Sequence, residues 1–386
     1  MLADQDAGAC SQARMDAPLL NDNRFKLALF AFNLTGGQTI STAPGVNNPS
    51  WAQNVRLAQM ADRAGLEALI PVGRWIGFGG PSQYHSKSFE SYTWAAGLGA
   101  LTEYSMVVAT GHVPALHPIV AAKQSATVDH ITNGRFALNL VSGWFKTEME
   151  FFGANMLDHD GRYAQADEWI SLVKRLWNET GDFDFSGKYF DVRGAAAEPK
   201  PLQRPHPVVI NAGISERGQR FAATHADIGF IAGENVAQVA ENARAFKRVA
   251  QAQGKQTIIL ADIVVCCFPT DDEAHAYAKL VGDKGDRIAA GNNMAIMSAH
   301  SKGWTDEQYA RFERQFMQSY GCAQAVGSPE TVAGICAELA EAGVDGAAFS
   351  IMGHWEENLR LITEQVVPLL EQAGLRRPHA ERLGAR

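Results

Sequence analysis

The chain has 386 residues, 46% hydrophobic and 20% charged, so it can bury a full core and is not a disordered, collagen-like or disulfide-stapled chain. With 34 Lys+Arg against 42 Asp+Glu the formal net charge is -8 and there is no basic block, which excludes the electrostatic footprint of a nucleic-acid binder. The five cysteines (Cys10, Cys266, Cys267, Cys322 and Cys336) make no CxxC pair and no His/Cys spacing suited to zinc, so reduced thiols in a cytoplasmic protein and no metal site are expected.

Residues 1–24 read as a polar tail with neither a signal peptide nor an anchor, and no apolar stretch reaches the roughly 18 residues of a membrane span. From Lys26 onward a strand followed by a helix recurs. The first half carries Lys26 to Phe32 with Trp51 to Gly65, Leu66 to Val72 with Glu90 to Leu101, Met106 to Val113 with His117 to Ile131, and Arg135 to Val141 with Tyr163 to Trp177. The second half carries Pro207 to Ala212 with Ser215 to His225, Ile228 to Ala232 with Val236 to Gln251, Thr257 to Phe268 with Asp271 to Val281, and Gly346 to Met352 with Glu356 to Leu370.

Parallel neighbours need a crossover of about a dozen residues or more, so these couplets predict an α/β chain folded as a single (β/α)8 TIM barrel. The barrel is expected over residues 25–375, with insertions at about 182–206 and 291–326 acting as lids over the carboxyl-terminal mouth, and a tail over 376–386. An open doubly wound sheet would place a GxGxxG turn after the first strand, and Phe32-Asn33-Leu34-Thr35-Gly36-Gly37 lacks that spacing.

In a barrel the site lies at the carboxyl ends of the strands, which selects Gly73 and Arg74, Thr110, Asn139 through Trp144, and Gly213 with Ser215. Asn139 interrupts an apolar strand, so its amide needs either neighbouring backbone or a ligand as partner. Gly213-Ile214-Ser215 stands between strand and helix, as a plain N-cap or as a seat for an anion. In Leu157-Asp158-His159-Asp160-Gly161-Arg162-Tyr163, His159 invites a catalytic role, but GxSxG is absent and the crowded acids suit a helix start better than a metal shell. His117-Pro118 suits a helix entry.

These residues carry a resemblance. His117-Pro118 with Ala121-Ala122-Lys123-Gln124, Asn133-Gly134-Arg135-Phe136, Asn139 to Lys146, His159 to Tyr163 and Pro199-Lys200-Pro201-Leu202-Gln203 resemble the bacterial-luciferase-like flavin-dependent monooxygenases, in the branch of alkanesulfonate, dimethylsulfone and pyrimidine monooxygenases. The resemblance implies the same barrel, and reduced FMN supplied by a separate NAD(P)H:flavin reductase. It implies FMN contacts from Asn139, Glu148, Arg162, Tyr163 and Ser215, with Gly73 and Arg74 bordering the ring. It also implies an oxygen pocket of Thr110, Asn139 and Trp144, walled by Ile70 and Val72.

The resemblance thus points to a two-component enzyme using reduced FMN and O2 on a small organic molecule, organosulfur first, with carbon-sulfur cleavage. Ring opening of a pyrimidine-like nitrogen heterocycle, or a deazaflavin-dependent oxidoreductase, are the alternatives. Val72-Gly73-Arg74-Trp75 departs from the glutamine and arginine of the dimethylsulfone type, and the histidine-arginine pair of the alkanesulfonate type is not evident after the fifth strand. A homodimer or homotetramer is expected, with no nucleic-acid or membrane partner. A barrel with only an interaction role is the different-class alternative.

Overall fold

The computed structural model describes residues 17–297 and 306–380, so Cys10, most of the expected N-terminal tail, part of the second insertion and the last residues lie outside the described residues. The strands are β1 (Lys26–Phe30), β2 (Ala68–Ile70), β3 (Met106–His112), β4 (Phe136–Val141), β5 (Phe183–Ser186), β6 (Asp191–Ala195), β7 (Val208–Asn211), β8 (Ile228–Ile231), β9 (Ile258–Cys267), β10 (Ala323–Gly327) and β11 (Gly346–Ile351). The parallel strands follow the order β10-β9-β11-β1-β2-β3-β4-β7-β8 with a further β9–β8 pairing. That is the closed order of a (β/α)8 barrel with β10 added on β9, and all eight expected strands are present in it.

The helices are α1 (Trp51–Arg63), α2 (Ser91–Gly99), α3 (Pro118–Ile131), α4 (Lys146–Phe151), α5 (His159–Asn178), α6 (Glu216–His225), α7 (Val236–Ala252), α8 (Asp271–Asp283), α9 (Arg287–Met297), α10 (Asp306–Ser319), α11 (Pro329–Glu341), α12 (Trp355–Leu361) and α13 (Val367–Gln372). Their starts follow from local chemistry. Ser50, Asp158, Ser215 and Ser328 each accept a backbone N–H of the first turn, and Thr270 with Glu273 closes a capping box on α8. His117 caps α3 through Nδ1, with Pro118 at the first position, the helix entry expected for that pair. Between α12 and α13 the helix widens to a π turn at Ile362–Val366, just ahead of Pro368, which has no N–H to return to the Glu364 carbonyl.

The contacts divide the chain into two compact units. One holds Ser91–Phe230 and Phe246–Ile258. In it β3 and β4 bury almost every residue, and α5 lays Trp169, Ile170, Val173 and Trp177 into the core. The two indoles also donate to the carbonyls of Leu116 and Ala122, so these large rings leave no polar atom stranded. The first insertion forms an antiparallel hairpin of β5 and β6, whose turn donates the N–H groups of Lys188, Tyr189 and Phe190 to the Glu168 carboxylate.

The other unit holds Asn23–Glu90, Ile231–Ala245 and the described residues from Ile259 onward. Here β1 pairs with β2 and β11, and β9 with β10 and β11, all parallel. Cys266, Val264 and Met352 pack with Ala274, Tyr277 and Val281 of α8 into one apolar cluster. The four described cysteines are free and buried.

Candidate active site

In the unit built on β3 and β4, parallel register sets Thr110 directly beside Asn139. The Asn139 amide donates Nδ2 to Thr110 Oγ1 at 3.2 Å, and its Oδ1 is buried without a partner. Thus one half of the amide is held by a side chain, not by the neighbouring backbone, and the other half is an orphaned acceptor. Thr110 is itself anchored, since Ser91 Oγ donates to its carbonyl at 2.8 Å.

The turn after β4 carries the next candidates. Gly143 has φ +87, a left-handed conformation natural to glycine, and its carbonyl receives the Arg162 guanidinium, whose Nε is buried without a partner. Trp144 is half-buried and stacks on Phe145 with ring centroids 5.7 Å apart. Glu148, on the first turn of α4, is fully buried.

The turn from β7 into α6 is held from within. Asn211 donates to the Leu140 carbonyl at 2.7 Å and accepts from Gly213 N at 3.0 Å. A Cβ on Gly213 would meet the Gly218 carbonyl oxygen at 2.5 Å, and one on Gly218 would meet the Tyr163 hydroxyl at 2.4 Å, so both positions exclude a side chain. Ser215 caps α6 by accepting from Gly218 N at 3.1 Å, and His159 Nε2 lies 3.0 Å from the same hydroxyl. His159 Nδ1 faces Asp160 at 3.2 Å, while Tyr163 stands beside the imidazole at 5.2 Å and the Arg217 guanidinium over the Tyr163 ring at 5.8 Å.

Of the segment 157–163, Asp158 is thus the N-cap of α5, as a helix start requires, and His159 has a serine partner that no local motif announces. The cap, hydroxyl, imidazole and free helix N–H groups make an exposed polar seat suited to an anion.

In the other unit Ile70 ends β2, buried, and Val72 is clamped by Asn33, which accepts its N–H at 2.9 Å and donates to its carbonyl at 2.9 Å. Gly73 is half-buried; Arg74 is buried with its guanidinium over Phe78 at 5.2 Å, and Ser88 donates to its carbonyl. Burial first, then the Arg74 charge, hold the His85 imidazole well below its ordinary pKa.

The same unit contains a buried group that the sequence reading passed over. Asp262 of β9 accepts Gln38 Nε2 at 2.6 Å and the Cys322 thiol at 3.5 Å, and burial pushes its carboxyl up to about 7. The signal was available: Asp262 interrupts an apolar strand as Asn139 does.

The family model described as luciferase-like monooxygenase matches residues 25–346. The chain is 30% identical over 358 residues to an FMNH(2)-dependent dimethylsulfone monooxygenase of Pseudomonas putida, covering 90% of this chain and 95% of that one. It is 34% identical over 256 residues to the pyrimidine monooxygenase RutA of a Bradyrhizobium species, covering 65% and 70%. A riboflavin lyase crystal structure shares the fold with a TM-score of 0.81 at 24% identity, covering 92% of this chain and 93% of that one.

Proposed function

The chain belongs to the luciferase-like monooxygenase family, and from that premise we propose a two-component monooxygenase that uses reduced FMN and O2 on a small organic substrate. The observation that carries the reading is the Thr110–Asn139 pair, whose orphaned buried Oδ1 is the kind of acceptor a protonated ring nitrogen would satisfy. The residues present fit the flavin: Asn139 and Arg162 carry unpartnered buried polar atoms, and Ser215 with His159 and the start of α6 suit its phosphate. Reduced flavin, when bound, supplies the electrons and the oxygen activation.

The protein's own part is binding, orientation and exclusion of water. In this reading Glu148, Arg162, Tyr163 and Ser215 would hold the cofactor and Thr110, Asn139 and Trp144 would shape the oxygen-reacting space, with Gly73, Arg74, Ile70 and Val72 in the roles that the resemblance implies. The barrel is one domain over 25–375 in this reading. The reductase that supplies FMNH2, a cytoplasmic location, supported by four buried free cysteines, and a homodimer or homotetramer complete it.

The dimethylsulfone relative supports an organosulfur substrate with carbon-sulfur cleavage as the first class. The unpartnered acceptors around Asp262 favour a second, a pyrimidine-like nitrogen heterocycle.

Anaerobic titration with reduced FMN followed by oxygenated buffer tests the activity. Saturable binding and substrate-dependent oxygen uptake are expected, and Asn139→Ala should keep the fold while cutting product by roughly tenfold or more. No binding of reduced FMN, with binding of a deazaflavin instead, would overturn the flavin assignment.

A further inference from the structure

Strand β9 reads Ile-Ile-Leu-Ala-Asp-Ile-Val-Val-Cys-Cys, and its one charged side chain, Asp262, is 6% exposed. Oδ2 is engaged by Gln38 and Cys322, while Oδ1 is buried without a partner. Gln38 Nε2 donates to Asp262 and to Cys322 Sγ at 3.8 Å, and its Oε1 is likewise unpartnered. His85 Nε2 lies 2.8 Å from the Gly37 carbonyl, which can only accept, so Nε2 carries the hydrogen and the unpartnered Nδ1 is a lone-pair acceptor. Asn293 accepts from Tyr320 Oη at 3.3 Å and leaves Nδ2, a donor, buried and free.

Aromatic rings join these groups. Tyr84 stacks on His85 at 3.8 Å, and Tyr320 lies 6.4 Å from Tyr84 and 6.5 Å from His85. The Gly37 carbonyl meets both Tyr84 Oη at 3.2 Å and His85 Nε2, and the next residue, Gln38, is the one that donates to Asp262, so one short segment brings the acid and the rings together. Three acceptors and one donor are thus left buried and unpaired beside these rings, an arrangement that a ligand's own donors and acceptor would satisfy.

We propose that Asp262, Gln38, His85 and Asn293 form a specificity-determining subsite for a substrate with N–H donors beside a carbonyl, a cyclic amide, imide or ureide. The assignment rests on the monooxygenase reading above and favours the second of its two substrate classes over the first. A sulfone offers only acceptor oxygens and would face these acceptors with repulsion instead of hydrogen bonds.

The test is equilibrium dialysis of the full chain with oxidised FMN at alkaline pH, where the Asp262 carboxyl is ionised, using uracil, its doubly N-methylated analogue and dimethyl sulfone as probes. Uracil should bind roughly tenfold or more tightly than either of the others. Asp262→Asn, whose carbonyl keeps the Gln38 contact, turns an N–H donor towards the ligand and should abolish that preference. His85→Phe keeps the ring stack on Tyr84 but deletes Nδ1, and should weaken uracil alone by about tenfold.

Equal binding of uracil and its methylated analogue, no uracil binding, or a preference unchanged in both variants would overturn the subsite. If Asp262→Asn does not fold, the analogue comparison and His85→Phe still decide. Absence of oxygen uptake with reduced FMN while the uracil preference persists would refute the activity and leave the subsite standing.

Discussion

Asn139 and Asp262 are the same kind of residue in physical terms, each a polar side chain in an otherwise apolar strand with one oxygen engaged by nothing. Only the first was singled out in the sequence, because it falls at the carboxyl end of its strand, where a barrel's site lies, while Asp262 is followed by Ile-Val-Val-Cys-Cys. The titration of Asp262 has a direct consequence for stability. Burial raises its carboxyl to about 7, so the folded chain keeps that proton to higher pH than the unfolded chain does. Stability from this group is therefore greatest below the ordinary carboxylate range and falls as pH rises through about 7. Asp262→Asn should flatten the dependence of the urea midpoint on pH between about 4 and about 7. Parallel midpoint curves for the two proteins would show that the carboxyl titrates normally.

At the scale of elements, the turn between β7 and α6 is the tightest construction near the polar seat. Gly213 and Gly218 lie backbone to backbone, and Tyr163 from α5 closes over Gly218. Ser215 read from sequence as a cap or an anion seat; it caps α6, with His159 added from the start of α5, and the anion belongs to the proposed phosphate site. That imidazole could not be placed from sequence, because the two residues stand 56 positions apart and only the packing of α5 against α6 joins them. Gly213→Ala drives a methyl into the Gly218 carbonyl and should destabilise the chain by about 1–3 kcal/mol. It should also weaken reduced-FMN binding, read by fluorescence titration; unchanged affinity in a folded variant would separate this turn from the cofactor.

For the molecule as a whole, one buried ion pair ties the chain's end to its beginning. Arg376, the first residue of the expected C-terminal tail, is 2.7 Å from Glu67, with side chains 2% and 0% exposed. Arg376 also donates to the carbonyls of Phe25 and Gly65, and Glu67 accepts from Leu27 N and Asn23 Nδ2. Because every oxygen of the acid is used, removing the arginine leaves an uncompensated buried charge at the entry to β1. Arg376→Met should cost about 3–5 kcal/mol in urea unfolding. Glu67→Gln combined with Arg376→Met should recover part of that loss, and a loss that deepens instead would show that packing, not charge, governs the site.

The alternation of strands and helices, the barrel and the place of the candidate residues at the strand ends were determined by the sequence alone, because apolar periodicity, caps and turn glycines act over a few neighbouring residues. Which side chain answers which was decided only in three dimensions. Thr110 meets Asn139 across 29 positions and Gln38 meets Asp262 across 224, pairings that depend on parallel register and on loops returning over the strands. Hydrogen-bond complementarity is a property of that closure, and no local pattern in the chain encodes it.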